Sequence, residues 1–292
     1  MSEQQVNPIA TAVKTAGNPL ANYFRQPKIF IRLPSQGRFY PEGSLDKSAI
    51  DEYPVFAMTA KDELMFKTPD ALMNGQATVS VIKSCIPAIK DPWNMPSLDL
   101  DACLVAIRIA TYGENMDVTA TCPNCQTIND LVMSLLGYLD SVSQFVYEDT
   151  LHIDPLIIKI RPYSYREVSK AAIKTLEQQK IFAIVNDESM SDELKLEKFG
   201  ASFLKLTEMT VDVICGCIES ITTPEGIVTD AAIIKNFMEN TTSEIFNTIK
   251  DHVDRMKESM KLQAQQAKCT NCSHEWSVNL EMDQTNFFDR GS

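Results

Sequence analysis

Cys122-Pro123-Asn124-Cys125 and Cys269-Thr270-Asn271-Cys272 are two Cys-x-x-Cys turns on one chain. Each turn can aim two sulfurs at one ion about 2.3 Å away, and four thiolates close a tetrahedral zinc site with no position left for water. Before the first turn Met116, Val118 and Ala120 alternate with Asp117, Thr119 and Thr121; after the second, Trp276, Val278, Leu280 and Met282 alternate with Glu275, Ser277, Asn279 and Glu281. A period of two predicts strands with one buried face. Asn124 and Asn271, each just before a second cysteine, tolerate the tight and sometimes left-handed backbone of such a turn. The pattern is that of a zinc ribbon with Cys122, Cys125, Cys269 and Cys272 as ligands. A disulfide pair and a redox Cys-x-x-Cys are the alternatives.

More than a hundred residues separate Cys125 from Cys269, against roughly 15–20 in a compact ribbon. The ribbon is therefore read as split, with an insertion that leaves it and returns. The expected fold class is α+β: short strands and helices, the split ribbon, and a large helical insertion. Residues 1–27 are expected to form a basic extended arm, 28–113 an α+β N-terminal domain, 114–135 and 268–285 the ribbon halves, and 136–267 the mostly helical insertion.

Several local signals carry this division. Ile29, Ile31 and Leu33 alternate as a strand, and Pro34-Ser-Gln-Gly37 turns the chain. Thr59 with Asp62, and Ser164 with Glu167, have the spacing of helix-capping pairs. Leu98–Tyr112 is apolar on nearly every side and stops at Gly113, which predicts a buried helix. In the insertion Phe199, Phe203, Leu206, Val213, Cys217 and Ile221 recur at helical spacing. A final helix is expected to reach about Ala267, and in it Phe246, Ile249, Val253, Met256 and Met260 form an apolar seam that could face either the insertion itself or another subunit.

Composition sets limits. The 292 residues are 44% hydrophobic and 23% charged, as in a soluble globular protein with a sizeable core. No apolar run approaches the roughly 20 residues of a membrane span, and the N-terminus lacks a signal-peptide core, so a cytoplasmic site of synthesis is expected. Cys85, Cys103, Cys215 and Cys217 lie in apolar or helical stretches and read as small buried hydrophobes. Residues 1–40 carry a balance of +4 within a chain of net charge −12. A basic arm thus precedes an acidic body, either as a solvated tail or docked on an acidic neighbour.

No phosphate loop, zinc-protease helix or nucleophile elbow is present. His152, His252 and His274 have no evident catalytic partner, and Asp99 and Asp101 read as carboxylates that favour a helix start. No enzymatic activity, catalytic residue or small-molecule substrate is expected. Acidic residues crowd both knuckles, with Lys268 the adjacent base, which argues against a phosphate-binding surface.

A longer run carries a resemblance. Ile31-Arg-Leu-Pro-Ser-Gln-Gly-Arg-Phe-Tyr-Pro-Glu-Gly43, Met58-Thr-Ala-Lys-Asp-Glu63, Thr68-Pro-Asp-Ala-Leu-Met-Asn-Gly75 and Ala106-Ile-Arg-Ile-Ala-Thr-Tyr-Gly113 stand in order before the first knuckle. The chain resembles the baseplate hub proteins of T-even-like contractile-tailed bacteriophages, over about its N-terminal two fifths. The resemblance implies a structural component of the virion tail baseplate, made in the bacterial host. It also implies a multi-subunit assembly with other hub, wedge or tail-tube proteins. A zinc-ribbon nucleic-acid-binding regulator and an assembly factor absent from the mature virion are the alternatives.

Overall fold

In the computed structural model the described residues are 20, 23–67, 75–169, 191–259, 265–278 and 287–288. Strand β1 (Pro27–Ile31) pairs antiparallel with β2 (Tyr53–Phe56), with Ile31 opposite Tyr53. The alternation turns Tyr53 and Val55 inward. Helix α1 (Ala60–Phe66) opens with the expected capping box: Thr59 and Asp62 each hydrogen-bond the other's backbone N–H. Helix α2 (Gln76–Cys85) begins after Gly75, whose φ is +75°. A Cβ there would also lie within 3.1 Å of Trp93 and the Tyr165 hydroxyl, so only glycine fits.

Helix α3 (Ser97–Tyr112) is the centre of this half. Twelve of its sixteen residues are buried, because it is apolar all round and is wrapped by β1, β2, α2 and helix α4 (Leu136–Ser143). Arg108 is 2% exposed within this helix. Its guanidinium donates to the Phe287 carbonyl at 2.6 Å and lies over the rings of Phe287 and Tyr112. Phe288 stacks on Phe66 with centroids 4.5 Å apart. The far end of the chain therefore closes the N-terminal core.

At Gly113 the chain leaves α3 and enters β3 (Asn115–Thr121), which pairs residue for residue with β4 (Ile128–Ser134). A matching hairpin, β9 (Gln265–Lys268) with β10 (Glu275–Val278), lies near the other terminus. Leu280 and Met282, expected to extend it, fall outside the described residues.

Between the hairpins sits a second hydrophobic cluster that includes Ile158, Ile160, Ile214, Ile218, Ile221, Ile234, Ile249 and Val253. A four-stranded antiparallel sheet carries it: β5 (Thr150–Ile153), β6 (Leu156–Ile160), β7 (Ile218–Thr223) and β8 (Gly226–Val228), in that order. Helices α5 (Asp192–Gly216), α6 (Ala231–Asn240) and α7 (Ser243–Glu258) accompany it. Ser164 and Glu167 form the second capping box, at 2.7 and 3.3 Å.

Two expected helix ends move. The helix read through Ile221 stops at Gly216, and Ile218–Thr223 is strand β7. Ile-Glu-Ser-Ile-Thr-Thr is mostly β-branched, a composition that suits a pleated surface better than a helix, and β6 offers it a ladder. The last helix stops at Glu258 rather than near Ala267, because Gln265–Lys268 is claimed by β10. Its seam faces inward: Ile249 and Val253 join the second cluster and Met256 the first. Met260 lies outside the described residues.

Candidate metal centre

Each knuckle is the six-residue tip of a hairpin. Thr121 and Ile128 are paired below the first, Lys268 and Glu275 below the second. Both tips fold alike. The Cys122 N–H donates to the Thr127 carbonyl at 2.9 Å and the Gln126 N–H to the Cys122 carbonyl at 2.9 Å; the Cys269 N–H donates to the His274 carbonyl at 2.9 Å and the Ser273 N–H to the Cys269 carbonyl at 3.0 Å. The left-handed residues are Gln126 (φ 60°) and Ser273 (φ 58°). The backbone thus inverts just after the second cysteine, where the closing hydrogen bonds require it, and not at Asn124 or Asn271.

The two tips face one another. All four sulfurs lie within 4.8 Å of each other; Cys122 Sγ is 3.7 Å from Cys272 Sγ, and Cys125 Sγ is 3.5 Å from Cys269 Sγ. The edge of a tetrahedron whose corners lie about 2.3 Å from its centre is about 3.8 Å, so the donor set fits a four-coordinate, thiophilic ion such as zinc. It is the one cluster of potential ligands found among the described residues. Cys122 and Cys269 are buried, Cys125 is half-buried and Cys272 is exposed.

Local dipoles already favour ionised sulfur at part of the site. The hydroxyl and amide of Thr127 draw the Cys125 thiol down to about 6, whereas burial pushes Cys122 up to about 11. The Cys272 backbone N–H lowers Cys269. Four thiolates so close repel one another, and a cation among them would remove that cost.

Asn129 was not singled out from the sequence, yet it joins the knuckles. It is 2% exposed; its amide donates to the Thr127 carbonyl at 2.8 Å, and its carbonyl accepts from the Thr270 N–H at 2.9 Å and hydroxyl at 3.0 Å. The available signal was its inward register in β4, in line with Leu131 and Met133.

The remaining candidates take structural roles. His274 supplies the backbone carbonyl above and stacks on Trp276. His252 is buried between the Glu148 carbonyl, 2.8 Å from Nε2, and the Arg255 guanidinium, 2.9 Å from Nδ1. His152 lies on β5. Asp99 does more than favour a helix start. Its carboxylate accepts from the Ser35 N–H at 2.7 Å, the Ser35 hydroxyl at 2.6 Å and the Tyr40 hydroxyl at 2.9 Å. It thereby pins the turn that carries Pro34-Ser-Gln-Gly37. Of the acidic residues read near the knuckles, Asp130 and Glu275 are exposed towards the hairpin tips, whereas Glu114 and Asp117 lie towards the far end of the first hairpin; Lys268 is spent on Glu275 at 3.4 Å.

A family model described as T4 bacteriophage base plate protein matches residues 27–289, from the first residue of β1 to just past Phe288. This chain belongs to that family. The baseplate match takes in both knuckles, the inserted sheet and helices, and the N-terminal run that ends at Gly113. No curated protein sequence and no solved structure matches it. As a baseplate family member the chain is a phage protein that assembles with other phage structural proteins. Among the described residues no helix is long and apolar enough to cross a membrane.

Proposed function

We propose that this chain is a structural component of the central hub of a contractile-tail baseplate, non-enzymatic, and held in shape by one structural zinc ion on Cys122, Cys125, Cys269 and Cys272. The family match over residues 27–289 carries the reading. The hub assignment draws on the Ile31–Gly43 run, whose turn is held rigid by Asp99. Such a turn is suited to contacts with hub, wedge or tail-tube neighbours. The zinc assignment draws on the four sulfurs within 4.8 Å. The basic arm, residues 1–27, would lie on an acidic neighbour in the assembly. In the division proposed, 28–113 forms an α+β unit, 114–135 and 268–285 the ribbon, and 136–267 the insertion.

The pairing of Lys268 with Glu275 and the acidic faces of the hairpins weigh against a nucleic-acid-binding regulator, since phosphate contact needs clustered, unspent lysine and arginine. The test is mass spectrometry of purified virions and of isolated baseplates, with elemental analysis of the recombinant chain. The expected result is the chain in baseplates at fixed stoichiometry, with one zinc each. Its presence in assembly intermediates and absence from virions would instead identify an assembly factor.

A further inference from the structure

Asn124 and Asn271 occupy the same place in the two knuckles, immediately before the second cysteine. Their side chains leave their own turns. The Asn124 side-chain amide lies 3.6 Å from Cys272 Sγ, and the Asn271 amide lies 3.8 Å from Cys125 Sγ. Each therefore crosses to the opposite hairpin, and each reaches the less buried sulfur there. The buried Cys269 has Asn129 Nδ2 at 3.8 Å, while main-chain N–H groups of Asn124 and Cys125 face Cys122.

A zinc ion on four thiolates leaves a site of net charge about −2. The acidic residues nearest it are Glu275, at the foot of the second knuckle, and Asp130, opposite Thr119 on the first hairpin, and its adjacent base, Lys268, is bound to Glu275. The side-chain donors that the described residues aim at Cys272, Cys269 and Cys125 from the opposite hairpin are amides. Such donors fix sulfur lone pairs, lower their basicity and slow their exchange.

Resting on the metal reading above, we propose that Asn124 and Asn271 are reciprocal positioning residues: each holds the outer sulfur of the opposite knuckle in the ligand tetrahedron and sets how fast the metal leaves. They also clasp the hairpins, because Asn271 Nδ2 reaches Thr127 Oγ1 at 3.2 Å as well. The residue type follows from this. Asparagine is short enough to span two facing turns, is uncharged, and carries a two-proton donor.

The test uses the full chain loaded with zinc, with Asn124→Ala, Asn271→Ala, the double variant, and Asn→Asp at each position. Zinc transfer to a chromophoric chelator gives the release rate, and cobalt(II) substitution gives the energy of the sulfur-to-metal charge-transfer band. The double alanine variant should still bind one zinc but release it roughly 10–100-fold faster. Its charge-transfer band should move to lower energy, a change that a purely architectural role would not produce. The Asp variants keep the side-chain shape, so folding is preserved, and should release faster than alanine because a carboxylate repels thiolate. Release within twofold of the parent in the double and Asp variants, with an unmoved band, overturns the proposal. A parent chain that takes up no zinc overturns the metal reading itself, which is a separate outcome.

Discussion

Two carboxylates two positions apart on α3 are both pushed up to about 6 by burial but differ in their partners. Asp99 is fully buried but receives three donors. Replacing it with alanine strands the Ser35 amide, the Ser35 hydroxyl and the Tyr40 hydroxyl, each an orphan worth about 1–3 kcal/mol. Asp99→Ala should lower the urea-derived stability by about 3 kcal/mol or more, and Asp99→Asn, which keeps an acceptor, by less. Asp101 lines an apolar cleft of about 170 Å³ with Leu98, Leu100, Tyr147, Val253 and Met256. Burial pushes its carboxyl up to about 6, with Lys257 pulling it back. A carboxyl raised on folding binds more protons when folded, so its contribution to stability falls as pH rises from about 4 to 6 and its cost is complete above that. Asp101→Asn should therefore make this part of the pH profile shallower, leaving the share that Asp99 contributes, and raise stability at pH 7–8 by about 1–3 kcal/mol, with little effect at pH 4. Equal gains at both pH values in thermal melts would contradict this. The fate of these residues was illegible in the sequence because the donors for Asp99 come from more than fifty positions away.

At the scale of elements the two hairpins are the informative pair. Each is a two-stranded ribbon whose backbone ladder is internal, and isolated two-strand ribbons are marginal in water. What joins β9–β10 to β3–β4 is the sulfur cluster with the three asparagines and Thr270. If the proposed zinc fills this cluster, chelation should accordingly release a local unit before the whole chain. Hydrogen exchange should accelerate across 265–278 and at the 122–129 tip, while α3 amides stay protected until global unfolding. Simultaneous loss of protection in all these regions would show instead that the metal holds the entire fold. One strand of each hairpin, β3 and β10, the capped starts of α1 and of the helix at Ser164, and the all-apolar α3 were readable from period and cap residues. β7 and β9 were not. Their residues also fit a helical reading, and the choice was made by the free ladders of β6 and β10.

The molecule as a whole is a chain whose ends return to its beginning. Phe287 and Phe288 complete the N-terminal core against Phe66, Arg108 and Tyr112. Phe288→Ala should cost about 3–5 kcal/mol and be felt as faster exchange in α1 and α3, even though the change lies far away in sequence; an effect confined to the C-terminus would refute the docking. Arg25, counted in the basic arm, is similarly spent at home. It donates to the Ser84 carbonyl and hydroxyl at 2.6 and 2.8 Å and faces Asp62 at 3.5 Å, so the charge available to a neighbour is smaller than composition implies. The sequence by itself determined the α+β class, the two sulfur-bearing turns and the buried central helix, because these rest on local periodicity, caps and spacing. The meeting of the two turns was expected from their spacing, but tertiary structure alone decided which sulfurs face one another, that Asn124 and Asn271 serve each other's knuckle, and that the last helix keeps its apolar seam inside. Those outcomes depend on contacts between residues up to 150 positions apart, and no local pattern records which distant partner is nearest once the chain is packed.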